Sequence, residues 1–280
     1  MKKTGAKDKK ERGMNIFREK EADGIYTRYV KEDETKASGY EMHIHERCEL
    51  YYFLDGKASY MVEGTEYPLK RGDMLLMRPG EAHCVRILEN GGYERYAVNF
   101  PVDIFDAIDP ERRLMKLFFD RKLGVGNHYE NPEGEALFGR MCDTFSDDYE
   151  RSIIVYTSIL EIMTSLPSKK SVRHDKTKEN TGLSESILKY VNDNLYSDIS
   201  LSDIAAHFFM SISQLGRLFR QATGAPPWEY ITAKRMIYAK ELIDSGMYAQ
   251  EAALKCGFKD YSSFYRAYVK RYDKSPKSRK

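Results

Sequence analysis

The sequence predicts a multidomain α+β chain: a small N-terminal β-barrel or jelly roll with a helical appendage, then an all-α domain with two helix-turn-helix units. Three observations predict it. Residues 49–100 are short runs rich in Tyr, Val, Leu and Phe broken by glycine turns, the grammar of a small antiparallel barrel. Residues 110–166 switch to apolar positions at helical spacing. Residues 183–280 carry one pattern twice, an apolar helix opening followed by Ser-x-Leu/Phe-x-Arg.

From the start of the chain, residues 1–14 are lysine-rich and lack an apolar core, which marks a mobile basic tail rather than a targeting segment. Strands are expected over 49–54, 58–62, 66–69, 74–77, 83–88 and 93–100. The turns between them fall at Asp55-Gly56, Glu63-Gly64, Arg71-Gly72, Pro79-Gly80 and Gly91-Gly92. A barrel over 15–109 follows from this spacing. Helices are expected around Leu114, Leu117 and Phe118, around Leu137, Met141 and Phe145, and around Ile153, Tyr156, Leu160 and Met163, within one segment, 110–166. Residues 167–182 are polar, charged and poor in apolar side chains, which is the composition of an interdomain linker that lets the halves reorient.

In the C-terminal repeat, Ala205 matches Ala253, while Ser213, Leu215, Arg217 and Phe219 match Ser262, Phe264, Arg266 and Tyr268. In each copy a short helix ends at a turn, Phe209-Met210 or Gly257-Phe258, and a second helix starts behind a capping side chain, Ser211 or Asp260. The second helices bury Leu215, Leu218 and Phe219, or Phe264, Tyr268 and Val269. That leaves Ser211, Ser213, Gln214, Arg217 and Arg220 in one unit, and Tyr261, Ser262, Ser263, Tyr265 and Arg266 in the other, to face outward. Arginine bonds bidentately to guanine, and hydroxyl and amide side chains reach bases or phosphates, so these ten residues are the expected contacts to double-stranded DNA. A single such face would equally suit a solvated helix; the duplication favours the reading of DNA. Between the units, Pro226-Pro227 opens a long amphipathic pattern over 228–243 that would hold them at the spacing of successive major grooves, about 34 Å.

These residues resemble the DNA-binding domain of the AraC/XylS family of bacterial transcription regulators. The resemblance covers residues 183–280 and rests on Ser211-x-Ser213-x-Leu215-x-Arg217-x-Phe219, Thr223-Gly224 and Gly257-Phe258-x-Asp260-x-Ser262-x-Phe264-x-Arg266, ending at Ser275-Pro276. The sequence departs from the family at Phe209 and Asp273, where glycine is usual, and at Gly216, which removes a side chain from the base-facing side. The resemblance implies a homodimer joined through the helices of 110–166, whose alternative role is only to pack on the barrel. It also implies a small-molecule effector, promoter DNA, and RNA polymerase as the partner of an activator, which the family analogy favours over a repressor.

Charge supports the division. The whole chain has 45 Lys+Arg against 43 Asp+Glu, a net +2. The basic excess lies in 183–280, densest around Arg266, Lys270, Arg271, Lys274, Lys277, Arg279 and Lys280, while 15–166 is acidic and should not itself attract DNA. No apolar stretch has the length to span a bilayer, and Cys48, Cys84, Cys142 and Cys256 form no Cys-x-x-Cys pair, so a cytoplasmic protein with no membrane partner is expected.

Within the barrel, His43-x-His45-x3-Glu49-x6-Gly56 followed by Gly72-x7-Gly80-x2-His83 resembles both halves of the cupin motif. In metal-binding cupins the matching three histidines and glutamate hold a divalent cation. The candidate ligands are therefore His43, His45, Glu49 and His83, a donor set suited to Zn, Ni, Fe or Mn. Arg78 stands where the motif has proline, and Ile87 where asparagine is common. Regulators of this build also keep such positions while binding a sugar or other small effector without metal, so no cofactor is required. His43, His45, Glu49, Tyr51 and His83 are then the effector-binding candidates, with Tyr51 and Phe53 as an aromatic wall or simply as core. The expected function is effector-controlled transcription regulation without catalysis. The rivals are a metal-dependent cupin enzyme of isomerase or dioxygenase type, which would have no need of a duplicated helix-turn-helix, and a regulator that senses the metal itself.

Overall fold

The computed structural model describes residues 15–39, 42–143, 145, 147–166 and 181–277. The expected tail (1–14) and nearly all of the expected linker (167–180) lie outside the described residues, as do Arg279 and Lys280.

The N-terminal part is a pair of antiparallel sheets, built among the described residues from ten strands: β1 (Ile16–Ala22), β2 (Ile25–Thr35), β3 (Ser38–Gly39), β4 (Cys48–Gly56), β5 (Ala58–Val62), β6 (Thr65–Pro68), β7 (Asp73–Met77), β8 (His83–Ile87), β9 (Gly91–Phe100) and β10 (His128–Glu130). One sheet runs β1-β2-β9-β4-β7-β10 and the other β3-β8-β5-β6. Six of these strands coincide with expected ones. The hairpin β1–β2, the short β3 and the edge strand β10 do not. β1 is exposed along most of its length and has no period-two apolar pattern; its register with β2 holds it, helped by Arg151, which donates to the Lys20 carbonyl at 3.2 Å.

β4 is the central strand, and both its faces are buried. Leu50, Tyr52 and Leu54 point to one side, where they join Met74, Leu76, Val98 and Phe100 beneath helices. Tyr51 and Phe53 point to the other and meet Tyr60, Val85 and Ile87 of the opposing sheet. The covering helices are α1 (Lys116–Phe119), α2 (Gly134–Met141) and α3 (Asp148–Ser165). α3 spans its whole expected stretch, but its buried stripe is Val155, Ile159, Ile162 and Met163; of the four expected positions only Met163 is buried, Tyr156 and Leu160 being half-buried and Ile153 exposed. Around Leu114 to Phe118 the expected helix shrinks to a four-residue turn between irregular segments, and Phe145 falls beyond α2.

The C-terminal part is all helical: α4 (Thr181–Asp193), α5 (Leu201–His207), α6 (Ile212–Thr223), α7 (Pro227–Asp244), α8 (Ala249–Lys255) and α9 (Tyr261–Tyr272). α4 starts two residues before the expected boundary at 183. α7 is the shared spine. Its Tyr230, Ile231 and Ile237 pack with Ile204, Leu215 and Phe219 of the first unit, and its Met236, Ala239 and Ile243 with Ala253, Phe264 and Tyr268 of the second. Burying both ends of one helix fixes the separation of the units.

Two departures from the family pattern have visible backbone consequences. Phe209 and Asp273 adopt the left-handed conformation, with φ of 53° and 52°, the region that costs a side chain energy and that glycine occupies freely.

The two parts pack directly on one another. Lys234 Nζ lies 2.7 Å from Glu63 Oε1, and both side chains are almost fully buried. The Tyr230 hydroxyl donates to the same carboxylate, and Ala82 N–H donates to it at 2.7 Å. Arg86 donates to the Gln221 carbonyl, Arg271 to the Ile44 carbonyl (2.7 Å), and Lys240 pairs with Glu46 at 2.7 Å. Ile44 and Ala82 of the sensor are buried in the core of the first helix-turn-helix unit. Among the described residues no helix is long and apolar enough to cross a membrane.

Candidate functional site

The space between the sheets opens as a cavity of about 540 Å³. Strand alternation decides its lining: Glu49 and Tyr51 project from β4, Tyr93, Arg95, Ala97 and Asn99 from β9, and Tyr26, Arg28, Val30 and Glu32 from β2. At one end stand His43, His45, Glu49 and His83, each offering a ligand atom within 4.8 Å of the others. The expected cluster is therefore assembled. His43 lies outside the named strands and is fixed by an isolated bridge to His83, N–H to O in both directions at 3.1 Å.

The hydrogen bonds set the ring tautomers. His45 Nδ1 lies 2.9 Å from the Arg47 carbonyl and His83 Nδ1 lies 2.7 Å from the Glu81 carbonyl. A carbonyl only accepts, so each Nδ1 carries the proton and donates it. Both Nε2 atoms then face Glu49 Oε2, at 2.8 Å and 3.4 Å, and Asn99 Nδ2 donates to the same oxygen at 2.8 Å. His83 Nε2 is fully buried and makes no hydrogen bond. Two imidazole lone pairs aimed at a carboxylate repel it unless a positive charge sits among them, either a proton or a cation. Burial works against ionisation of Glu49, but His45 and His83 outweigh it and hold its pKa well below the usual carboxylate range. Burial likewise opposes protonation of His83, and its contact with Glu49 raises its pKa nonetheless.

Further along, the Tyr51 and Tyr93 hydroxyls are 2.9 Å apart, and the Arg95 guanidinium carbon lies 5.9 Å from the Tyr51 ring centre. Burial pulls against the charge of Arg95, yet the surrounding Tyr93, Tyr51 and Glu49 raise its pKa, so it is a cation at neutral pH. Tyr51 is thus in the cavity as expected, while Phe53 is core. Arg95, Asn99 and Tyr93 were not singled out from the sequence, although extending the inward alternation to 93–100 would have found them. Arg28 and Tyr26 had no signal because β2 was not foreseen.

On the other domain, Ser211, Ser213, Gln214, Arg217 and Arg220 of the first unit, and Tyr261, Ser262, Ser263, Tyr265 and Arg266 of the second, are all exposed. Some of their polar atoms are engaged locally. Ser211 and Gln214 form a capping box, Ser211 N–H donating to Gln214 Oε1 at 2.9 Å. Asp260 accepts from Ser263 N–H at 2.7 Å, and Arg266 lies 3.4 Å from the Ser263 hydroxyl. The guanidinium groups of Arg217 and Arg220 make no ion pair among the described residues. Arg271, one of the basic residues that crowd the end of the chain, docks on the Ile44 carbonyl of the N-terminal domain.

The cavity wall and the docking surface are the same stretch of chain. Residues 42–47 contribute His43 and His45 to the cavity and Ile44 and Glu46 to the second domain. Gly224, which caps α6 with φ of 83°, lies close against Met42 and Cys84.

This build, a β-sheet ligand pocket docked against two helix-turn-helix units on one spine helix, is that of a DNA-binding transcription regulator with a ligand-binding domain. Residues 27–154 match the AraC-like ligand binding domain and residues 204–279 match a helix-turn-helix domain family, together well over half of the chain. The thermoregulatory protein LcrF of Yersinia pestis is 22% identical over 250 residues, covering 83% of this chain and 88% of that protein. The transcriptional activator RhaS of Citrobacter koseri is 21% identical over 244 residues, covering 86% and 87%. Among solved structures, an apo form of a ToxT variant from Vibrio cholerae covers 91% of this chain and 96% of its own, with 11% identity and a TM-score of 0.44. The chain belongs to the AraC family of transcription regulators.

Proposed function

We propose that the chain is an activator whose grip on promoter DNA is set by a small effector bound in the cavity between the sheets, and that it works without catalysing a reaction. The observation that carries this reading is the shared segment 42–47. A ligand that displaces His43 or His45 must also move Ile44 and Glu46, on which Arg271 and Lys240 of the DNA-binding domain rest. Such a ligand has different affinities for the docked and undocked arrangements, which is what a population shift requires. The ten exposed residues of α6 and α9 and their caps are the DNA contacts in this reading. A cytoplasmic homodimer would place them on adjacent half-sites, with α3, which exposes Tyr149 and Ile153, as part of the dimer surface, and RNA polymerase as the partner in activation. The domain limits of this reading are a sensor over 15–109, a coupling segment over 110–166 and a DNA-binding domain from the start of α4.

A metal is favoured by one specific arrangement. His45 and His83 donate Nδ1–H to backbone carbonyls and turn Nε2 inward, as metal-bound imidazoles do, and His83 Nε2 has no other hydrogen-bond partner. Zn, Ni, Fe or Mn would be held by His43, His45, Glu49 and His83, and would supply a Lewis acid for an effector oxygen. Metal content of the purified protein, measured with DNA affinity before and after chelation, tests the reading. Chelator-sensitive affinity supports a cation at this site. Turnover of a small substrate without any DNA affinity would overturn the regulator.

A further inference from the structure

Among the described residues, no carboxylate forms an ion pair with Arg95, a partly buried cation that lines the cavity. The carboxylates nearby are otherwise engaged: Glu49 is surrounded by His45, His83 and Asn99, and Glu32 accepts from the Thr35 hydroxyl at 2.8 Å. A second guanidinium, Arg28, lies on the neighbouring strand. Its Nε is buried without a hydrogen-bond partner, 3.7 Å from the nearest carboxylate oxygen, Glu19 Oε2. A charge left in a partly closed site without a counter-ion is costly, and a planar guanidinium matches a planar or tetrahedral oxyanion with two parallel hydrogen bonds. Tyr51 and Tyr60 complete the wall. Their hydroxyls, like those of any tyrosine at neutral pH, are hydrogen-bond donors rather than phenolates.

Resting on the reading that the cavity is the effector site, we propose that Arg95, assisted by Arg28, is an anion subsite and that the effector is a small organic oxyanion. Its charged group sits on Arg95 and its body lies between Tyr51 and Tyr60, toward the histidines. A neutral sugar would satisfy the tyrosines and histidines but would leave the guanidinium without a counter-charge.

The test uses the full-length protein and needs no knowledge of the natural effector. Thermal shifts are recorded with acetate, hexanoate and phenylacetate, with phenylacetamide as the neutral isostere of the last, with phenyl phosphate, and with glucose. These are repeated on Arg95→Gln, Arg95→Lys and, to block the cavity, Ala97→Trp. The expected result is that at least one oxyanion stabilises the protein and its neutral counterpart does not. Arg95→Gln then weakens that oxyanion at least about tenfold and Arg95→Lys retains part of the effect. Whether phenylacetate or phenyl phosphate binds more tightly assigns the oxyanion to carboxylate or phosphate.

Stabilisation by glucose or phenylacetamide that Arg95→Gln leaves unchanged and Ala97→Trp abolishes would overturn the anion subsite while keeping the cavity as the effector site. Oxyanion stabilisation insensitive to Ala97→Trp would overturn the cavity itself. Failure of every oxyanion to shift the wild-type protein also overturns the proposal. Because the comparison of phenylacetate with phenylacetamide is made on the wild type, it stands even where Arg95→Gln does not fold.

Discussion

Arg271, in the last turn of α9, donates to the carbonyl oxygen of Ile44, 2.7 Å away, and Ile44 is the residue between the two cavity histidines His43 and His45. One hydrogen bond therefore joins the end of α9 to the wall of the cavity. The contact is to backbone, so it reads the position of segment 42–47 itself. Tyr272 beside it donates to the Met236 carbonyl of α7 at 3.3 Å, which ties the same corner to the spine helix.

Glu63–Lys234 is more deeply buried than the interdomain ion pair Lys240–Glu46, and breaking it should be costly. Glu63→Ala or Lys234→Ala leaves an uncompensated buried charge and is expected to cost about 3–5 kcal/mol in chemical denaturation. The double substitution Glu63→Gln with Lys234→Met should recover most of that loss. A loss of less than about 1 kcal/mol in both single variants, the range of an exposed pair, would mean that the domains separate freely in solution.

Phe209 is 98% exposed and sits at φ of 53°. Its side chain buries nothing in the folded chain, so Phe209→Gly relieves the backbone without opening a cavity. Left-handed strain of about 1–2 kcal/mol is set against the roughly 0.5–1 kcal/mol by which glycine favours the unfolded chain. Denaturant midpoints should be unchanged or higher; a clear loss of stability would show that Phe209 has a structural contact after all.

All four cysteines are free and buried. Burial pushes the thiols of Cys142 and Cys256 up to about 12, and that of Cys48 higher still. The thiolate is the nucleophile, so at about pH 8 the native protein should react with a disulfide reagent only after unfolding, when all four thiols appear. Rapid labelling of the native state would place a cysteine at the surface.

The parts that were legible in the sequence are those where one periodicity governs a whole element. The glycine-punctuated apolar runs of β4, β5 and β7 to β9 and the capped repeats of α6 and α9 are of this kind, whereas α3 was legible as a helix but turns Val155, Ile159 and Ile162 inward in place of Ile153, Tyr156 and Leu160. The cavity tetrad was legible because its members are rare residue types at fixed spacing. What escaped has a physical reason in each case. β1 is stabilised by pairing rather than by a buried face, so its composition, Phe17-Arg18-Glu19-Lys20, does not announce a strand. Arg95 reads as a surface residue until β2 covers one side of β9. Glu63 and Lys234 look like ordinary exposed charges, and only the docking of the two domains buries them. Contacts between distant segments leave no local period to read.

The central claim is that two non-identical units on one spine read DNA under the sensor's control. Selection of bound sites from a random duplex pool by the full-length protein tests it most directly, with Arg217→Ala and Arg266→Ala selected in parallel. The account predicts two half-sites about 10 base pairs apart. Each arginine substitution should cost about 1–3 kcal/mol and relax the base preference in one half-site only. A pool that shows no enriched sequence, or an enriched sequence that neither substitution alters, would contradict it.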